Sequence, residues 1–229
     1  MGHGRIKVKL RDGGCVSSLY MRKIIFTALC LGALVGVTVS AENTSSEPAT
    51  VRQPAPDFTL QGSDGKQHSL SEYKGKYVVL EWTNPNCPFV HKFYDSGTMQ
   101  ALQTKETARG VVWLRINSGA VGHDGYQTAS DLTSYAKENH VAATVSLMDP
   151  DGTVGHMYGA RTTPDMYVID PKGVLIYAGG IDNKPSTDAA DIATAKNYVA
   201  AALKESMAGE PVATPTARPY GCSVKYASN

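Results

Sequence analysis

The sequence predicts an α/β domain with a central mixed sheet flanked by helices. Three observations predict it. Four short, nearly continuous apolar runs, at 77–82, 111–116, 144–148 and 166–169, have the length and composition of strands buried on both faces. Helical patterns separate the first run from the second (opened by Pro88) and the second from the third (around 128–139), which implies βαβ crossovers. Finally, Asp170-Pro171-Lys172-Gly173 forms a tight turn after the fourth run and sends 174–177 back antiparallel.

Before this core lies a segment that reads as processing rather than structure. Residues 1–20 carry basic charge without an apolar pattern and are set aside as an upstream extension. From Met21, two basic residues, an apolar run and Val39-Ser40-Ala41 have the layout of a signal peptide over 21–41. Its removal leaves 16 basic against 20 acidic residues and only Cys87 and Cys222. This mildly acidic, patternless charge favours neither nucleic acid nor a membrane surface as partner. The expected location is periplasmic or secreted, where two cysteines allow one pairing.

Within the mature chain, 42–53 is polar and is expected to be a flexible leader. The domain is placed at 54–208. It begins with an N-terminal β-hairpin around Ser63-Asp64-Gly65-Lys66, where Asp-Gly supplies the positive φ of a tight turn. A short helical turn follows at 69–73 and ends at Gly75. Trp82 and Trp113 fall in the strand runs and read as core. One last helix, 187–208, puts Ile192, Ala195, Val199, Leu203 and Met207 on one stripe before Gly209. The tail 209–229 is Pro-rich and carries Cys222.

The chemistry centres on NPNCPFVHKFY. Cys87 directly follows a buried strand, and Pro88 occupies the first helical position, where proline loses no needed hydrogen bond. Cys87 therefore falls at the helix N-cap, facing unpaired amides and the positive end of the dipole, which favours thiolate. His91 and Lys92, one turn on, can add positive potential.

Strand, Cys-Pro, helix, then Thr163-Pro164 before a strand and a hairpin, together resemble the thioredoxin-like redoxin group, which includes alkyl hydroperoxide reductase-like and thiol-specific antioxidant-like proteins. PAPDFTLQGSDGKQHSLSEYKGKYVVLEW is similar to the N-terminal hairpin of that group, and the resemblance covers about 54–208. It implies a thioredoxin-like fold, a cis-proline at Pro164 against the reactive cysteine, and a Thr163 backbone that orients the substrate. It also implies an oxidoreductase without organic cofactor or metal, acting on a peroxide or a protein disulfide and recycled by a thiol reductant. Two departures stand out. Val90 occupies the position of a second helix cysteine, and Asn84 stands where peroxiredoxins carry the threonine that holds peroxide, with Thr83 one place further off. Asn84 and Arg161 are the candidates to polarise the oxidant.

The missing second cysteine has a candidate replacement in Arg218-Pro219-Tyr220-Gly221-Cys222, where glycine and a Pro-rich approach suit a thiol that must move. Cys222 is expected to resolve a sulfenic acid or mixed disulfide on Cys87. The tail can come from the same chain or from a second copy, which leaves a homodimer open. A permanent Cys87–Cys222 bond is the structural alternative, worth about 5 kcal/mol in the chain-entropy model. A different chemistry is a thioredoxin-fold copper(I) chaperone with Cys87, His91 and Cys222 as soft ligands. The remaining histidines, His68, His123, His140 and His156, show no ligand spacing, and the stretch 119–125 reads as a loop near the site.

Overall fold

A computed structural model describes Gly2 and residues 48–227. The expected hairpin forms from β1 (Thr59–Gly62) and β2 (Gln67–Ser69), with Gly65 at φ 80°. A 3-10 turn over Leu70–Tyr73 follows, its start closed by reciprocal Ser69 and Glu72 bonds.

The centre is β3 (Val78–Trp82), β4 (Val112–Asn117) and β5 (Val145–Met148), parallel to one another. The chain crosses from β3 to β4 through α1 (Pro88–Asp95) and α2 (Thr98–Thr107), split at Gly97 with φ 72°. It crosses from β4 to β5 through α3 (Ala129–Glu138), whose start is fixed by a Thr128–Asp131 capping box. After α4 (Thr153–Tyr158) come the two-residue β6 (Thr162–Thr163), then β7 (Asp165–Ile169) and β8 (Leu175–Gly179). The seven-stranded order is β2-β1-β5-β4-β3-β7-β8.

The sheet is mixed, as expected: the fourth apolar run is β7, which pairs antiparallel with β3, and burial on both faces produces the apolar run whatever the strand direction. Two expectations need correction. The single helix expected over 187–208 is two elements, a 3-10 segment at Ala189–Thr194 and α5 (Tyr198–Met207). The break lies where Ala195 turns extended and the Asn197 side chain accepts from Ala200 N to start α5 afresh. The described part of the leader, 48–53, is tied down, with Ala49 N donating to Met157 O and Arg52 N to Leu175 O. The expected signal peptide lies outside the described residues.

Side chains alternate across the sheet and build two cores. One holds Leu80, Trp82, Leu114, Ile116, Tyr158 and Tyr167; the other packs Val79, Trp113, Met166 and Val168 against α1, α2 and α5. Cys87 belongs to the second, at the carboxyl end of β3. That is where an open α/β sheet commonly places a site, because the helix beginning there turns its free amides toward it.

Candidate active site

Cys87 caps α1 with extended backbone angles, and Pro88 follows it inside the helix. Its carbonyl accepts from Val90 N and His91 N, each at 2.9 Å, and its own N–H donates to Asn84 O at 3.2 Å. Its thiol points away from solvent, with 1% of the residue exposed, and donates to the carbonyl of Thr163 at 3.0 Å. The Thr163–Pro164 bond is cis. The first turn of α1 and β6 therefore meet on one sulfur.

The tail covers this point. From α5 it runs beside the outer edge of β8, where Ala178 N donates to Pro215 O and Ala217 N returns a bond to Ala178 O. It then forms β9 (Cys222–Ser223), antiparallel to β6, with Cys222 opposite Thr163 and Ser223 opposite Thr162. Gly221 makes this approach possible: at φ 142°, any side chain there would overlap the Thr163 carbonyl. The tail expected to be flexible is thus docked, within its own chain, and both thiols are free. An open cleft of about 630 Å³ beside it is bounded by Thr162, Asp182, Tyr198, Arg218 and Tyr220.

The two thiols ionise differently. Burial pushes the Cys87 thiol up, but hydrogen bonds from the Thr163 side chain, from the thiol and backbone of Cys222 and from Val90 N outweigh it, and its pKa falls below the ordinary thiol value. Thr163 Oγ1 has no other partner among the described residues, so it can donate to a thiolate. Cys222 is pushed up to about 11, first by burial, then by its bond to Cys87 and by the like charge Cys87 would carry. Of the two, Cys87 is the sulfur that ionises first.

The other expected residues sit around this pair unevenly. Asn84 is buried next to Cys87, yet its side-chain oxygen accepts from Asn86 N at 2.8 Å and its amide group packs on Gly125. Arg161 is exposed; its backbone is the part in use, accepting from Val224 N and donating to Asp165, while its guanidinium has no hydrogen-bond or ion-pair partner among the described residues. Thr163 lies against Cys87 through its carbonyl, and the bond to Pro164 is cis, the isomer the resemblance implied. Lys92 does not face the sulfur: it is buried and donates to Lys184 O at 3.0 Å. His91 lies on the exposed side of α1 with Nδ1 3.3 Å from Asp95. Among the described residues no group of three or more His, Cys, Asp or Glu is arranged to hold a metal ion, so nothing in the geometry favours the copper alternative. The loop 119–125 does reach the site, through Asp124 accepting from Asn86 and Ala120 N donating to Lys225 O.

Sequence reading missed a buried charged cluster on the same face of the sheet. Glu81 and Arg115 stand opposite each other in β3 and β4, both with no exposure. Glu81 accepts from Tyr94 Oη at 2.8 Å, Gln103 Nε2 at 3.1 Å and Trp113 Nε1 at 2.7 Å; Arg115 Nε is 3.8 Å from it. Arg115 also lies 4.8 Å from the Tyr135 ring centroid and 5.3 Å from that of Tyr94. The cluster fastens α1 and α2 to the sheet beneath Cys87. Its signal was present, as two opposite charges each set inside an otherwise apolar strand run.

A cysteine at a helix N-cap, set against a cis-proline loop on a mixed sheet, is the arrangement of the thioredoxin-like redoxin class of oxidoreductases. The chain belongs to the AhpC/TSA family, whose model matches residues 51–178. It is 27% identical over 163 residues to the thiol-disulfide oxidoreductase ResA of Geobacillus thermodenitrificans, covering 68% of this chain and 83% of that one. It is 28% identical over 132 residues to the chloroplastic peroxiredoxin Q of Triticum aestivum, 53% of this chain and 55% of the other. A hypothetical protein of Sinorhizobium meliloti shares the fold, with a TM-score of 0.67 at 22% identity over 80% of this chain and 98% of its own.

Proposed function

We propose that this protein is an exported thiol-disulfide oxidoreductase in which Cys87 is the nucleophile and Cys222, in the same chain, the resolving thiol. The observation that carries this reading is the β6–β9 pairing, which sets a second thiol on the strand edge beside the first. The Cys87 thiolate attacks one sulfur of a substrate disulfide; the other sulfur leaves as a thiolate and takes up a proton. Cys222 then loses its proton and attacks the Cys87 sulfur, releasing the second substrate thiol. The substrate gains two electrons and two protons, and the protein keeps a Cys87–Cys222 disulfide that an external dithiol must reduce. Once Cys87 is in a mixed disulfide it carries no charge, so part of what holds Cys222 protonated is gone. The Thr163 backbone orients the substrate strand, and the similarity to ResA supports this chemistry.

Exchange is favoured over peroxide reduction because neither candidate for polarising a peroxide is bonded to the Cys87 sulfur: the Asn84 amide group packs on Gly125 and the Arg161 side chain is exposed. The layout of residues 21–41 supports export. The test is intact-mass analysis with thiol alkylation and peptide mapping after one equivalent of a peptide disulfide or of hydrogen peroxide, in wild type and Cys222→Ser. The expected result is a Cys87–Cys222 bond in wild type and a trapped mixed disulfide on Cys87 in the variant, both from the peptide disulfide. Rapid oxidation by peroxide with a sulfenic acid trapped on Cys87, and none by the disulfide, would overturn exchange in favour of peroxidase activity.

A further inference from the structure

The tail is fastened on both sides of Cys222, and the far side is the more specific. On the near side, Tyr220 donates its hydroxyl to Asp182 and packs edge-on against Phe89 at 5.8 Å. On the far side, Tyr226 donates to the carbonyl of Ala160 at 2.8 Å and stacks on the His156 ring at 4.0 Å between centroids. Its ring lies directly over Gly152 and Gly155, at the start and in the first turn of α4; a side-chain carbon at either position would overlap it. Gly155 has no positive φ to explain a glycine, so the room it leaves is filled by the Tyr226 ring. Between the anchors the β6–β9 ladder has only two residue pairs, too few to persist alone in water.

We propose that Tyr226 is a positioning residue for the resolving thiol: seated on the Gly152–Gly155 bed, it holds Cys222 at Cys87 and sets its effective concentration there. The inference rests on reading Cys222 as the resolving thiol. Tyr226 is four residues beyond Cys222, with Val224 N bonded to Arg161 O and Lys225 O to Ala120 N between them and the body. Releasing the ring leaves this far end held only by those two backbone bonds, while Tyr220 keeps the near end tied. Cys222 then samples more space and meets Cys87 less often, without being lost.

The experiment is equilibration of the full-length protein in mixtures of oxidised and reduced glutathione. One oxidised glutathione takes two electrons and two protons from the thiols and yields the Cys87–Cys222 bond and two reduced glutathiones. The resulting constant is an effective molarity. Tyr226→Ala should lower it about tenfold or more, whereas Tyr226→Phe, which keeps the ring and loses only the bond to Ala160, should lower it about two- to threefold. Gly155→Ala is the discriminating variant. Alanine ordinarily strengthens a helix relative to glycine, so a purely structural role predicts an unchanged or improved protein; displacement of the Tyr226 ring predicts a drop comparable to that of Tyr226→Ala. Constants within about twofold of wild type in both Tyr226→Ala and Gly155→Ala would overturn the inference while leaving Cys222 as resolving thiol. A wild type that never forms the bond would instead overturn the resolving role itself, and the inference with it.

Discussion

Cys87 and Cys222 are the same side chain in two settings that meet at Thr163. Cys87 belongs to the rigid body of the protein: a helix begins on it, a core closes around it, and donors reach it from α1, from β6 and from the tail. Cys222 sits on a two-residue strand at the end of a docked strap, partly buried, with its partner's charge as a main influence on its own. Acidity in this pair therefore follows from what each setting presents. Donors from Thr163, Cys222 and Val90 N converge on the Cys87 sulfur, whereas Cys222 faces burial and the charge Cys87 would carry.

The largest test of that contrast removes one sulfur at a time. Cys87→Ser should abolish disulfide reduction altogether, by more than about a thousandfold, because a serine hydroxyl cannot ionise at neutral pH as a thiol does. Cys222→Ser should still react once with a substrate disulfide and then stall. Single-turnover and steady-state assays separate the two: equal loss of the first turnover in both variants would mean the thiols are interchangeable, contrary to their settings.

The second test asks whether the body beneath Cys87 is independent of the strap. All three hydrogen-bond partners of Glu81, Tyr94, Gln103 and Trp113, lie on α1, α2 and β4. Glu81→Leu leaves Arg115 buried without its carboxylate and should destabilise the fold by about 3–5 kcal/mol in denaturant titration. At temperatures where the variant is still folded, Cys222 should titrate as in wild type. A loss below about 1 kcal/mol would mean that Arg115 finds another partner.

These two residues show what the sequence could and could not disclose. The strand runs, the N-cap role of Cys87 and the hairpin turns were legible because each depends on a few neighbouring residues: Pro88 fixes the first helical turn, and Gly65 and Gly173 take the positive φ of their turns. Cys222 was legible as a second thiol, and its docking was not, because that depends on β6, on the room at Gly152 and Gly155, and on a tyrosine four residues away. Glu81 and Arg115 were visible as charges inside apolar runs, yet their pairing needs the β3–β4 register, which only the assembled sheet supplies. The break at Ala195 was hidden because the apolar stripe continues through a segment whose cap, Asn197, interrupts the helix.

The third test concerns the loop that presents Thr163 to both thiols. Asp165 is buried, accepts from Arg161 N at 3.1 Å and leaves its other oxygen without a partner. Burial, partly opposed by backbone hydrogen bonds, pushes its pKa up from 3.8 to about 6. Between those values the folded state holds a proton that the unfolded chain has released. Stability must therefore fall as pH rises from about 4 to about 6 and then level off, by about 3 kcal/mol if this carboxyl acts alone. Asp165→Asn should remove that fall and raise stability at neutral pH by a similar amount. An unchanged pH profile in the variant would place the titration elsewhere.

The smallest expected effect is the most direct probe of why the two thiols differ. In Thr163→Val the backbone is kept, so the β6–β9 ladder and the carbonyl that accepts from Cys87 both remain, and only the otherwise unpartnered hydroxyl is lost. The Cys87 thiolate loses one of its donors and its pKa should rise, seen as a shift of the thiolate absorbance near 240 nm to higher pH. At neutral pH its alkylation should slow by about three- to tenfold, the worth of one hydrogen bond to a charged group. Cys222 should titrate where it did, since none of the groups that push it up is Thr163. If Cys222 moved while Cys87 did not, the Thr163 hydroxyl would not be a source of Cys87 acidity, and the donors left to it would be those of Cys222 and Val90 N.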